Sequence, residues 1–195
     1  MIGPAAANLM SSVIFIFVMR AFDVGDRIFL YPGRPGDPPL NLKVVQINLL
    51  STVFKRWDEQ LYYIPNQVLA TTTIVNIQRT GHQWHEFHIQ VAASTSSDKI
   101  AALHRALISF AENHDTPGSG LYSNILFSLT GIEDSTRLTI RIVFQQKSNW
   151  QEMQRKWEAQ SLCTMGIKRA CEKLRITYTM PALPIIKGGV AGGHM

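Results

Sequence analysis

Ser11–Arg27, SSVIFIFVMRAFDVGDR, is an apolar run that stops abruptly at Arg20 and gives way to a compact polar turn, Asp23, Val24, Gly25 and Asp26, with Arg27 behind it. A helix buried in a core rarely ends in a charged turn with nothing apolar beyond it, whereas a helix leaving a bilayer often does. Length does not settle the matter. Pro4 is tolerated in a first helical turn, and a helix from Pro4 to Met19 reaches about 24 Å, short of the ~30 Å hydrocarbon core. Taken alone, the segment lies between a core helix and a partial membrane span. It has no basic n-region and no small-residue cleavage site, so it does not read as a secretory signal.

The chain has 195 residues, enough for one large domain or two small ones, and a formal net charge of +5. Lys and Arg come in ones and twos, as in Lys55-Arg56, Arg155-Lys156 and Lys168-Arg169, instead of in a block. Such scattered basicity suits a domain beneath an anionic leaflet as well as a nucleic-acid surface. Cys163 and Cys171 stand eight apart in an expected helix, about 12 Å along its axis, beyond disulfide reach. They are expected to be reduced, which favours a reducing compartment.

Residues 31–41, YPGRPGDPPLN, form an expected exposed loop. Short apolar runs at 42–50, 51–54, 61–64 and 74–78 predict strands, with Trp57–Gln60 as a hairpin turn and Pro65-Asn66 as a stop. Several short strands within about fifty residues imply a small β-barrel or sandwich. After Gly81 the pattern changes. Strands are predicted at 84–93, 124–130 and 137–145, with a turn at 132–135. One helix opens at Ser97-Asp98 with the stripe Ile100, Leu103, Leu107, Phe110. A second helix is expected from Ser148, where Ser148 and Gln151 have capping-box spacing, with a stripe from Trp150 through Met153, Trp157, Thr164, Ile167 and Cys171 to Leu174. A last strand at 176–180, closed by Pro181 and Pro184, completes a β-α-β-β-α-β order, the split ferredoxin-like pattern. The Gly-rich tail from Gly188 is expected to be disordered.

Chemistry-bearing clusters are sparse. On a strand, His82 and His88 share a face with Glu86 while His85 points away, and the outer two lie about 20 Å apart. Solvent-facing strand histidines are therefore expected, not a metal site. His104 and His114 read as helix-surface residues. Asp58-Glu59 and Glu133-Asp134 fall in predicted turns, no G-x-S-x-G elbow is present, and the Gly33–Gly36 region lacks phosphate-loop spacing. An enzyme is not expected, and no cofactor or metal is. The strands at 124–130 and 137–145 carry no RNP1-type string, and Phe87 and Phe127 read as core.

Three segments together resemble the mechanosensitive channel of small conductance (MscS) family, most nearly its plant and algal members. SVIFIFVMRAFDVGDR resembles the end of a pore-lining helix and its exit turn (Arg20, Asp23, Gly25, Asp26, Arg27). INLLSTVFKRWDEQLYYIPNQVL resembles the β-domain core with a P-N-x-x-L step at Pro65, Asn66 and Leu69. TTTIVNIQRTG carries an I-x-N-x-x-R step at Ile74, Asn76 and Arg79. The resemblance covers about residues 8–185, mainly as pattern after Gly81. Two features depart from it: the Pro-rich loop 31–41 replaces a short Gly turn, and Ala21 stands where a Pro is usual.

The resemblance implies an α+β membrane-protein fragment in four parts. These are the cytoplasmic half of a pore helix (1–22), an Sm-like β-barrel domain (23–80), a ferredoxin-like vestibule domain (81–180), and a C-terminal strand or disordered tail (181–195). It also implies a homoheptamer in a plasma or organelle membrane, with residues after about 22 on the inner side. Tension would open the channel, and ions and small osmolytes would pass with low selectivity. Membrane lipid and permeant ions would be its partners, with no nucleic acid. Met10, Ile14 and Phe17, at i, i+4 and i+7, are candidate pore-lining positions, although Leu9 and Val13 fit a neighbouring face. The alternative is a soluble Sm-like/ferredoxin-like RNA-binding module, which a steep salt dependence of RNA binding would distinguish.

Overall fold

The computed structural model describes residues 3–31, 33, 38–114, 120–133 and 136–177. It is α+β, with two antiparallel sheets in chain order. Helix α1, Pro4–Val13, continues into a π-helical segment, Ile14–Met19. The expected single α-helix over 4–20 is thus corrected: its last turns are widened. Among the described residues no helix is long and apolar enough to cross a membrane.

Five strands follow: β1 (Arg27–Tyr31), β2 (Leu40–Ile47), β3 (Ser51–Arg56), β4 (Leu61–Pro65) and β5 (Thr73–Asn76), with the one-turn helix α2 (Asn66–Leu69) between the last two. They pair in the order β4-β3-β2-β1-β5. Among the described residues β4 and β5 are the sheet's edges and no ladder joins them, so the hydrogen bonding is that of a sheet and not of a closed barrel. Strand β1 has no counterpart in the sequence reading, which passed from the polar turn straight to the Pro-rich loop. Of that loop, Tyr31, Leu40 and Asn41 belong to strands, and residues 32 and 34–37 lie outside the described residues. The hairpin at 57–60 is as expected. Glu59 there adopts φ 69° and its carboxylate receives Lys55 at 2.8 Å, while Asp58 pairs with Arg56, so the turn carboxylates hold the turn.

The core of this half is Ile28, Leu30, Leu42, Val44, Phe54 and Leu69, and Phe15 and Phe22 are buried with them. The three rings stack edge to face: Phe15 on Phe22 with centroids 5.7 Å apart, Phe22 on Phe54 at 5.5 Å. Burying one such ring stabilises by about 2–3 kcal/mol. The end of the helix is therefore anchored to the sheet through Phe15.

The second sheet comprises β6 (Gln83–Ala92), β7 (Leu126–Glu133) and β8 (Arg137–Gln146) in the order β6-β8-β7. Helices α3 (Ser97–Asn113) and α4 (Met153–Lys173) complete it. Leu103 and Leu107 of α3 are fully buried with Ile140, Ile142 and Phe144 of β8 and Cys163 and Ile167 of α4. Burial raises the Cys163 thiol to about 12, so it stays protonated at physiological pH. Both cysteines are free.

Several details depart from the sequence reading. α4 begins at Met153 and not at Ser148; Ser148 Oγ receives Gln146 Nε2 at 3.0 Å, and Gln151 is engaged elsewhere, so no capping box forms. Trp157 and Thr164 are exposed, and α4 faces the core with Ala159, Cys163, Gly166, Ile167 and Ala170. His85 is buried instead of solvent-facing: it bonds Gln146 Oε1 at 2.8 Å and packs on Trp150. His104 stacks on Phe127, and His114 bonds the Phe110 carbonyl at 2.7 Å. Ile176 and Thr177 are not in a strand, although Thr177 O accepts the Ala92 N–H at the free edge of β6. The rest of the expected last strand and the tail, residues 178–195, lies outside the described residues, as does Asp134.

Candidate functional site

The helix ends by backbone geometry. Arg20 takes the left-handed conformation (φ 40°, ψ 51°), and its N–H reaches back five residues to Phe15 O at 3.2 Å. The polypeptide then turns sharply. Asp26 Oδ2 accepts the Asp23 N–H at 2.9 Å and Asp26 N–H bonds Asp23 O, a reciprocal closure like that of a helix cap. Gly25 at φ 97° supplies the positive φ that this reversal requires. Gly25 N–H and Val44 N–H then exchange bonds with Val44 O and Asp26 O, tying the turn to β2.

The Asn76 and Arg79 step closes over this turn from more than fifty residues away. Arg79 Nη1 donates to Arg20 O at 2.6 Å and Nη2 to Asp23 Oδ2 at 2.7 Å. Asn76 Nδ2 lies 3.0 Å from Ala21 O and 2.8 Å from Asp26 Oδ2, and Asn76 Oδ1 accepts the Arg79 N–H. Arg20 adds a bond to Asp23 Oδ1 at 3.3 Å. The guanidinium groups of Arg20 and then Arg79 hold the Asp23 carboxyl below the usual carboxylate range. The helix exit and the end of β5 thus form one polar clasp.

Pro65 is the last residue of β4, and Asn66 begins α2 fully buried. Asn66 Oδ1 accepts the Thr52 hydroxyl at 2.7 Å, and Nδ2 donates to the Asn48 and Leu49 carbonyls at 2.9 and 3.0 Å. Leu69, 1% exposed, completes the core beneath. Asn66 thus fixes the β2–β3 connection, while Leu69 packs in the core with Phe15 and Phe22.

Arg27 belongs to the exit turn in sequence but serves a different junction. Its N–H donates to Gln151 Oε1 at 2.9 Å, Nε to Gln151 O at 2.8 Å and Nη1 to Asn41 Oδ1 at 2.9 Å. Gln151 Nε2 donates to Gly25 O at 2.8 Å. Gln151 therefore joins the segment before α4 to the helix exit, a role hidden by its capping-box spacing and by the 124 residues separating it from Arg27. Asn149 Nδ2 makes longer bonds to the carbonyls of Gln78 and Thr80.

On the helix, Met10, Ile14 and Phe17 are 60%, 45% and 68% exposed, while Ser12 and Phe15 on other faces are buried. Leu9 is also exposed, whereas Val13 is half-buried. Val18 and Met19 are exposed beside Phe17. His82, just before β6, and His85 and His88 within it do not converge: His82 Nδ1 donates to Lys147 O, His85 is inside, and His88 lies 3.4 Å from Glu86. Among the described residues no group of three His, Cys, Asp or Glu side chains could hold a metal.

A docked helix end, a reversing turn clasped by Asn76 and Arg79, and a five-stranded sheet make up one unit over the first eighty residues. Residues 5–79 match the family model described as mechanosensitive ion channel, β-domain, and the chain as a whole is similar to MscS-like channels. It is similar to mechanosensitive ion channel protein 10 of Arabidopsis thaliana (29% identity, 92% of this chain, 23% of that protein) and to protein 9 of the same plant (30%, 92% and 23%). It is also similar to mechanosensitive ion channel protein BA of Emericella nidulans (29%, 76% of this chain, 15% of that protein). The chain spans less than a quarter of the length of these curated relatives. Among solved structures, the closed state of Helicobacter pylori MscS shares the fold, with TM-score 0.71 at 20% identity over 93% of this chain and 64% of that one. Arabidopsis thaliana MSL1 gives 0.63 at 15% identity, over 89% and 58%.

Proposed function

We propose that this chain is the pore-exit and inner-side portion of a channel opened by membrane tension, passing ions and small osmolytes with little selectivity. The observation that carries this reading is the two-sided helix end. Phe15 is sunk in the β-domain core while Met10, Ile14 and Phe17 present an apolar stripe that is largely exposed among the described residues. Side by side in a homoheptamer, such stripes would face a common axis and close it by dewetting. Arg20 at the helix end suits an inner, cytoplasmic-type side. A wide state occupies more membrane area, so tension favours it without a ligand.

In this reading residues 1–22 are the inner half of a pore helix in a plasma or organelle membrane, and 23–80 an Sm-like β-domain. Residues 81–180 form a ferredoxin-like vestibule domain, and 181–195 continue as a strand or tail. The β6-β8-β7 order, with Thr177 reaching the free edge of β6, supports the ferredoxin-like assignment. The alternative RNA-binding role draws no support from relatives named as ion channels. Patch recording of the full-length protein tests the proposal: pressure-activated current is expected, and its absence at every tension short of rupture sinks the reading.

A further inference from the structure

Three cations stand abreast across the β-domain sheet. Arg27 of β1 is the register partner of Lys43 of β2, and Lys43 is the register partner of Lys55 of β3. Cross-strand partners carry their side chains on the same face about 5 Å apart, and like charges directly opposite destabilise a sheet. Carboxylates relieve the ends of the row only. Lys55 is paired with Glu59 at 2.8 Å, and Arg27 feels the charge of Glu152. Lys43, in the middle and exposed, has no ion pair among the described residues.

The row lies along one side of a cavity of about 330 Å³ between this sheet and the start of α4. That volume is at the lower end of the range for small-molecule sites, about 300–1,000 Å³. Trp57 from the β3–β4 turn and Trp157 from α4 contribute two flat walls, 65% and 48% exposed. Arg56 also lines the cavity, but Asp58 holds its guanidinium. Counting Arg27, Lys43, Lys55 and Arg56 against Glu59 and Glu152 in the lining and Asp58 just behind it, four positive and three negative, the site carries a net +1, and its Lys43 has no ion pair among the described residues.

From this arrangement we infer that the junction between the β-domain and α4 binds a small phosphate-bearing anion with a planar ring, of the mononucleotide class. The phosphate would sit over Lys43 with Arg27 beside it, replacing mutual repulsion by charge-assisted hydrogen bonds. The ring would lie against Trp57 or Trp157, a contact that tolerates any base. Bound there, the ligand would bridge β1–β2 to the helix beside Gln151.

The test is titration of the purified chain with AMP, read by tryptophan fluorescence, with adenosine and inorganic phosphate as separate arms. A saturable quench by AMP is expected, reduced in Trp57→Phe and Trp157→Phe, with both other compounds binding at least tenfold more weakly. Lys43→Gln carries the sharper signature. It should weaken AMP about tenfold, the loss of one charged hydrogen bond, and raise the melting temperature of the ligand-free protein by breaking up the cation row. No saturable response to AMP overturns the site, as does a Lys43→Gln variant unchanged in both readouts. Adenosine binding as tightly as AMP overturns the role of the cations, and inorganic phosphate doing so overturns that of the tryptophans. Occupancy is measured without tension, so its failure is distinct from a failure to find pressure-activated current.

Discussion

Arg79 and Asp23 meet at 2.7 Å, Nη2 to Oδ2, although 56 residues separate them, and the same guanidinium reaches the Arg20 carbonyl at 2.6 Å. One planar fork thus grips both the last residue of the helix end and the turn that follows. A lysine keeps the charge but offers a single point of attachment and cannot span both acceptors. Arg79→Lys should therefore loosen the exit turn selectively, with faster amide exchange at residues 21–26 than in the wild type. Exchange in β6–β8 should be unchanged. The Asp23 carboxyl is held below its ordinary range, so wild-type protection should persist as pH falls through that range and fail only beneath it.

Asn66 has its amide fully used inside the β-domain. Asn66→Ala leaves the Thr52 hydroxyl and the Asn48 and Leu49 carbonyls without that partner in a buried site, and should cost about 2–4 kcal/mol in urea unfolding. Asn66→Asp should cost more, because a carboxylate oxygen would face two carbonyl oxygens. An Asp variant as stable as wild type would show that the amide orientation is not what holds the β2–β3 connection.

His85 makes the second sheet sensitive to acid. Burial keeps its imidazole pKa below the ordinary value, outweighing the Gln146 bond, and nearby Lys156 acts in the same direction as burial. In the unfolded chain the ring titrates near about 6.5, so below that pH the unfolded state binds the proton first and stability falls. Above about pH 7.5 the ring is neutral in both states and adds no slope. Unfolding at pH 7.5 and 5.5 should show a loss in the wild type that His85→Gln reduces; equal losses would remove His85 from the account.

Local grammar made much of this fold legible. The alternation of β6 places His85, Phe87, Ile89 and Val91 on the inner face and Glu86 and His88 on the outer, as the two-residue period requires. The Trp57–Gln60 turn and the α3 stripe follow equally from near-neighbour rules. Strand β1 was not visible because RIFLY is too short to display a period beside an apolar helix. Gln151 misled for another reason: its spacing from Ser148 satisfies a local rule, but Gly25 and Arg27 compete for the same amide and win. The clasp was legible only as two separate motifs, since no sequence period links residue 23 to residue 79.

α4 runs unbroken through Gly166, which is buried against the Phe110 ring of α3. A Cβ at 166 would lie 2.6 Å from the Phe110 ring. Gly166→Ala should gain helix propensity of about 1 kcal/mol and lose more to overpacking, for a net destabilisation of about 1–2 kcal/mol. Adding Phe110→Leu should recover part of that loss in thermal unfolding, whereas additive losses would mean the ring is not the obstacle.

Phe15 and Phe17 are two residues apart and should respond oppositely to the same substitution. Phe15, 3% exposed, locks the helix end to Phe22 and Phe54. Phe15→Ala removes that anchor and should destabilise the β-domain by about 3 kcal/mol. Phe17, 68% exposed, touches no core, and Phe17→Ala should change the stability of the chain by less than ~0.5 kcal/mol. In the proposed channel the order reverses. Trimming an apolar pore ring weakens dewetting and should lower the opening tension of Phe17→Ala, while Phe15→Ala should act through loss of the helix anchor. Paired melting curves and patch recordings separate the two: an unfolding loss at Phe17 as large as that at Phe15 would place the core-facing side of this helix elsewhere and take the pore stripe with it.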